Sequence, residues 1–299
     1  MMLKIKPQFV SKVWGGEKLN DVFGYKLPNN NIGECFAFST LNDYQSMIIS
    51  EPFLGQKLSD VFRNHPDLFG VSAIEGFPFL IKIIDAKDQL SIQVHPDDDY
   101  ARKHEGMSNG KTESWVILDC GVNKHLVLGH QCQSKKEMKG LMKNGEWSKI
   151  IKHIVIENDQ VINIPAGTLH AICANTMIYE IQQVSDLTYR FYDYGRGRPL
   201  HLKKSLEVLQ IPHKSQQVRV KYHENYEVLV KNLYYSLYRI TNKGSSTYKF
   251  SESFLCLTAI KGQGMVNGIK VVKGDHFIMT KDETILNVEG ILTLLVASK

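Results

Sequence analysis

Short apolar runs rich in Val, Ile, Tyr and Phe, each closed by Gly, Asn, Asp or Pro, recur along most of this chain. That spacing of strand-forming runs and turn residues constrains the chain to a mainly β fold, a sandwich or barrel, with helices in the minority. Ser134 and Glu137 have capping-box spacing, and Met138, Leu141 and Met142 follow at helical intervals. Trp147, Ile150, Ile151 and Ile154 resume that period beyond Asn144 and Gly145, so a small helical hairpin over about residues 134–154 is expected to sit on the sheet. A further helix is expected around Leu202, Leu206 and Leu209. "PHKSQQ", residues 212–217, is a polar break, after which strand-like runs return from "YEVLV" to "ILTLLVAS". The expected division is therefore 1–215 and 216–299, with β structure in both parts.

At 299 residues the chain can bury a large core, and 43% hydrophobic against 22% charged residues excludes a mostly disordered protein. No apolar run approaches the roughly 20 residues that cross a bilayer, and "MMLKIKPQFVSKVWGG" lacks the apolar core of a signal peptide, so a cytoplasmic protein without membrane attachment is expected. Five cysteines, at 35, 120, 132, 173 and 256, form no CxxC pair and read as reduced thiols. The net charge of +5 is spread along the chain rather than gathered into a block, which gives nucleic acid no clear footprint and leaves room for a small anionic ligand. The oligomeric state is left open.

One run departs from the pattern. "SIQVHPDDDY", residues 91–100, sets Ser91, Gln93 and His95 on one face of a strand, with Ile92 and Val94 on the other, and then breaks at Pro96. That polar face meets either solvent or a ligand. Downstream, Glu113 stands at the mouth of the apolar strand Trp115 to Leu118, and a Pro-Ala-Gly turn returns the chain so that His170 can lie beside an earlier strand. Gln93, His95, Glu113 and His170 together offer an amide oxygen, two imidazoles and a carboxylate. That set suits one borderline divalent ion such as zinc, with a position free for water or substrate.

The combination resembles the cupin superfamily, in which an early motif supplies paired ligands and a glutamate and a later one ends in P-x-G-x-x-H. Pro165, Gly167 and His170 keep that spacing; Asp159 stands where the later motif begins with glycine, and Asn175 lies one place beyond the usual asparagine. Within the superfamily, "KVWGG" (12–16), "IGE" (32–34), "FLIKIIDAKDQLSIQVHPDD" (79–98), "GKTESW" (110–115), "IPAGTLHAI" (164–172) and "EIQQVSDLTYRFYDYGR" (180–196) resemble the type I mannose-6-phosphate isomerases in their short bacterial form. Phe36 occupies a position where that family carries tryptophan.

The resemblance implies two cupin-like jelly-roll barrels, the first carrying the metal and the helical insertion, and a metal-dependent isomerase acting on a sugar phosphate through an enediol. Arg190 aligns with the family's catalytic arginine, whose fixed charge stabilises enediolate or phosphate; the alternative is an ion pair with Asp186. Lys111 matches a substrate-site lysine able to carry protons, or is an exposed loop lysine. Asp186 is a candidate acid or base for ring opening. If "SDLTYRFYDY" is an unbroken strand, Asp186, Thr188 and Arg190 share one face. Lys203, Arg196 and Arg198 stay outside this set as a solvated charge cluster. In the second half Thr280 and Asp282 stand where the motif has Pro and Gly and no histidine follows, so that barrel is expected to be metal-free and His276 to lie on a strand surface. Two rivals remain, an iron-using cupin oxygenase and a non-catalytic sugar-binding or regulatory bicupin.

Overall fold

The structure is a computed structural model that describes all residues except 73, 75, 215–217 and 224. The expected division at 215/216 lies outside the described residues. The chain is mainly β and its strands pair antiparallel. A six-stranded sheet has the order Val161–Ile164, Glu113–Asp119, Thr176–Gln182, Leu80–Ala86, Ile32–Phe38 and Gln8–Gly16. A five-stranded sheet has the order Ile151–Val155, His125–His130, His170–Ala171, Ile92–Val94 and Tyr189–Tyr192. Trp115, Ile117 and Ile178 of the first share a core with Leu126 of the second, so the two sheets face each other across apolar side chains.

Strands covered on both faces read as continuous apolar runs. Leu80–Ala86, "LIKIIDA", is buried at every position, and so is Thr176–Gln182, "TMIYEIQ". The charged residues inside them need partners. Lys82 and Glu180 face each other across the ladder, and Asp85 accepts the Lys18 amide at 2.8 Å, which satisfies the first turn of helix Lys18–Phe23. A nine-stranded sheet takes in the strands from Lys221–Tyr222 to Ile285–Ser298. Its edge is extended by the first strand of the chain, because Met2–Lys6 pairs with His276–Met279.

The two departures from the metal motif keep the backbone that the motif needs. Asp159 and Asn175 both take left-handed conformations, φ 65° and 63°, which Asp and Asn tolerate better than other residues with a Cβ. Gly167 has φ 84°, its amide donates to the His95 carbonyl at 2.8 Å, and a Cβ there would meet the Val208 carbonyl oxygen at 2.9 Å. Phe36 fills its position by stacking on Tyr44 at 4.6 Å beneath the Lys82 ammonium.

Helix Lys135–Lys143 is capped by Ser134, whose hydroxyl accepts the Glu137 amide, and helix Leu202–Val208 lies where the leucine spacing puts it. Three expectations need correction. The second limb of the hairpin is a single turn, Trp147–Ile150, and Ile151–Val155 is instead an edge strand pairing with His125–His130; its β-branched Ile151, Ile154 and Val155 suit an edge strand better than a helix. "SDLTYRFYDY" is strand only over Tyr189–Tyr192, since Gln182 bends back to donate to the carbonyls of Gln183 and Ser185 and turns the segment out of the ladder. His276 is fully buried rather than on a surface, between the Tyr25 hydroxyl at 2.8 Å and Thr258 Oγ1 at 3.1 Å.

Burial lowers the His276 pKa to about 4 from 6.5. The unfolded chain then binds the extra proton first, so the contribution of the neutral ring is complete above pH 6.5 and is lost as pH falls towards 4. Over that window wild-type stability should fall by about 3 kcal/mol more than that of a His276→Gln variant, measured by urea unfolding. Parallel pH profiles would remove His276 as the cause.

Candidate metal centre

His95 leaves the end of strand Ile92–Val94 and turns its ring between the two sheets. Its Nδ1 donates to the Leu187 carbonyl at 2.8 Å, which fixes the tautomer and leaves Nε2 as an acceptor, with the Lys111 ammonium 3.2 Å from it. His170 does the same from the neighbouring strand: its Nδ1 donates to the Thr168 carbonyl at 2.9 Å. Both Nε2 atoms face Glu113, at 3.4 Å from Oε2 for His95 and 3.2 Å from Oε1 for His170. Glu113 is 0% exposed, and neither of its oxygens accepts a hydrogen bond. Gln93, paired in register with His170, brings its amide to 3.4 Å from His170 Nε2. A half-turn of that amide exchanges its oxygen and nitrogen.

Three electron-pair donors, buried and aimed at one another, call for positive charge among them, and the Lys111 ammonium supplies it on the Glu113 Oε2 and His95 side. His95, Glu113 and His170 each offer a donor atom within 4.8 Å of the others. The donors fit a divalent ion on chemical grounds. Burial, then the Lys111 charge, pushes the His95 pKa down to about 3, so its ring stays in the neutral ligand form. Burial alone would raise the Glu113 pKa, but Lys111 and the two imidazoles hold the carboxyl well below the usual range, so it stays a carboxylate.

Lys111 is 5% exposed, which removes the alternative of an exposed loop lysine. Its ammonium lies 2.9 Å from Glu113 Oε2 and 3.2 Å from His95 Nε2. Backbone contacts bring it there. The Gly110 amide donates to Asp98 Oδ1, the Lys111 amide donates to the Pro96 carbonyl, and a Cβ on Gly110 would meet the Asp97 carbonyl carbon at 2.4 Å. The acids after Pro96 thus hold the site: Asp97 caps the next helical turn, and Asp98 ties Gly110, Gln183 and the Tyr234 hydroxyl together.

Beside this group lies a cleft of about 270 Å³. Gln93 and Lys111 belong to both, and Asp186, Thr188, Arg190 and Arg198 line the cleft further out. Asp186 and Thr188 reach it from a loop, not from a strand face. Arg190 donates Nη1 to the Pro199 carbonyl at 2.8 Å, and among the described residues it makes no ion pair with Asp186. Arg198 is held by Asp193, and Arg196 by Asp193 and the Gln89 carbonyl.

The sequence reading passed over Lys12, Glu34, Lys82 and Glu180, which line the same cleft. Lys82 lies 3.4 Å from Glu34 and 3.6 Å from Glu180, and Trp115 Nε1 donates to Glu180 at 3.0 Å. Burial would lower the Lys82 pKa, but Glu34 and Glu180 reverse that and raise it; burial, reinforced by Glu113, raises the Glu180 pKa. The signal was a charge in the middle of a continuous apolar strand. Five cations, Lys12, Lys82, Lys111, Arg190 and Arg198, line the cleft with three carboxylates, Glu34, Glu180 and Asp186. That excess suits an anionic ligand.

The family model for the catalytic domain of type I phosphomannose isomerase matches residues 2–113. A probable mannose-6-phosphate isomerase of Bacillus subtilis, GmuF, is 38% identical over 309 residues, covering 99% of this chain and 98% of the relative. The mannose-6-phosphate isomerase ManA of the same organism is 38% identical over 292 residues, covering 93% and 92%. Among solved structures, the mannose 6-phosphate isomerase from Bacillus subtilis superposes with a TM-score of 0.95 at 34% identity, over 100% of this chain and 99% of that one. Full-length identity of that order, on a shared fold, makes this chain a member of the type I phosphomannose isomerase family.

Proposed function

We propose that this chain is a metal-dependent aldose–ketose isomerase that interconverts mannose 6-phosphate and fructose 6-phosphate through an enediol. The observation that carries this reading is the convergence of His95, Glu113 and His170 on one point, beside a cleft rich in cations. Gln93, His95, Glu113 and His170 would hold one divalent ion, and two imidazoles with oxygen donors favour zinc. When bound, the ion supplies Lewis-acid stabilisation of charge on the sugar oxygens.

The chain's own groups do the rest. The proton on C2 of the open-chain aldose leaves to a base, its electron pair forms the C1=C2 bond, and the C1=O π pair moves to O1, which takes a proton. O2 then gives up its proton, its pair forms C2=O, and the C1=C2 pair takes a proton at C1 to give the ketose. Arg190 keeps a fixed positive charge near the developing oxyanion or the phosphate, where a preorganised cation costs no reorganisation. Lys111, joined to both Glu113 and His95 and lining the cleft, serves as a proton carrier. Asp186, exposed at the cleft, serves ring opening.

The two facing sheets form the first cupin barrel of this reading and the nine-stranded sheet a second, metal-free one. A separate apolar cluster on the nine-stranded sheet, with Ile240, Leu257, Leu286 and Val296 among its members, supports a second unit. The division at 215/216 is kept, with Met2–Lys6, and beyond it Met47–Ile48, joining the sheet of the second unit. Among the described residues no helix is long and apolar enough to cross a membrane. Five free thiols and a phosphorylated substrate fit the cytoplasm.

Purified protein given mannose 6-phosphate should form fructose 6-phosphate, followed by a coupled assay. Tight binding of the sugar phosphate by metal-loaded protein without product would replace the isomerase with the non-catalytic reading.

A further inference from the structure

We propose that His125, His153 and Cys173 form a second metal site, suited to a borderline divalent ion such as zinc, on the face of the five-stranded sheet opposite the catalytic centre. Each offers one donor atom within 4.8 Å of the other two. The register explains the meeting. Val127 pairs with Ala171 on one side and with His153 on the other. Stepping two residues along each ladder sets Cys173 across from His125, with His153 diagonal to it, so the three share one face.

That face is distinct from the catalytic one. Leu169, Ala171 and Cys173 contribute to the core beneath the helical insertion, with Val127 and Ile151, whereas His170 turns to the other side and Ile172 contributes to the core between the sheets. The triad therefore has its own approach. His153 is exposed, His125 is half-buried and Cys173 is buried, which gives an ion a route in and a closed floor.

The donors are arranged for ligation. His125 Nδ1 donates to the Asn123 carbonyl at 3.0 Å, the backbone bond that typically orients a metal-binding imidazole and leaves its Nε2 lone pair bare. The His125 and His153 rings lie 5.2 Å apart and tilted, not stacked flat. Zinc bonds of about 2.0 Å to nitrogen and 2.3 Å to sulfur ask for donor separations of roughly 3.3–3.8 Å, within a small rotation of the exposed His153 side chain. Burial raises the Cys173 thiol to about 11, so ligation displaces its proton and the ion holds the thiolate. A bound ion would clip the edge strand Ile151–Val155 to its neighbours, next to the helical insertion.

The test is a cobalt(II) titration of protein stripped of metal with a chelator, since cobalt does not displace the more tightly held zinc. The proposed catalytic ligands contain no sulfur, so cobalt bound at that centre gives no thiolate-to-cobalt charge-transfer band. The wild type should show such a band, complete by two equivalents of cobalt per chain and with the intensity of one thiolate-bound cobalt. His153→Ala, a change at an exposed position, should weaken the band's cobalt affinity at least tenfold with isomerase turnover unchanged, and His125→Ala should do the same. No thiolate band at saturating cobalt, or a band of undiminished affinity in both variants, would overturn the proposal.

Discussion

His170→Ala should leave a folded protein that retains less than a tenth of the wild-type metal after dialysis and has no measurable turnover. The ring is 0% exposed, its Nδ1 is fixed by the Thr168 carbonyl, and its Nε2 points at Glu113 Oε1. Removing a group that only orients a ligand weakens metal binding by about 10–100-fold. Loss of a ligand itself should exceed the upper end of that range. The variant also leaves the Glu113 carboxylate with one neutral donor fewer around the ion, while Lys111 still balances its charge at 2.9 Å. That remaining pair is why the fold should survive. Elemental analysis reads the result, and a full equivalent of metal in the variant would take His170 out of the ligand set.

Arg190→Ala should have the opposite signature, with wild-type metal content and a kcat lower by about 10²–10³-fold, the usual loss for removing one preorganised donor to a developing oxyanion. The backbone of Arg190 is held by His201, whose Nδ1 accepts its amide and whose amide donates to its carbonyl. One guanidinium nitrogen bonds the Pro199 carbonyl, and Nε is buried without a partner. Burial, then the neighbouring Arg198, lowers its pKa from an ordinary value so high that the charge persists at neutral pH. A positive group at the cleft with a donor unspent supports the ligand-binding role proposed for it. Arg190→Lys should not restore the rate, because a flexible ammonium does not reproduce the planar fork. Full activity in Arg190→Ala would end its catalytic role.

The mainly β character was legible because it is a local property: strand-forming runs and turn residues alternate along the chain itself. Gln93, His95, Glu113 and His170 could be picked out because their residue types are scarce in apolar strands and their spacing matched a known motif. The structure brings all four within reach of one another. What escaped depended on pairing between distant segments. Glu34, Lys82 and Glu180 looked like isolated charges, and only the register of three strands makes them one buried network. His276 sits in a strand buried at every position, so no alternation betrayed which way it faced. The first strand joins the sheet of the last ones through a pairing that spans nearly the whole sequence. Residues 151–155 misled for a different reason, since isoleucines at Ile150, Ile151 and Ile154 satisfy a helical period while β-branching and the free ladder of His125–His130 favour a strand.

The most direct measurement is isomerase turnover on protein before chelation, after chelation, and after zinc is added back. The account predicts that conversion of mannose 6-phosphate to fructose 6-phosphate stops when the metal is stripped and returns with one equivalent of zinc per chain at the catalytic centre. Turnover that persists in protein shown to be free of metal would contradict the claim that Gln93, His95, Glu113 and His170 act by holding an ion.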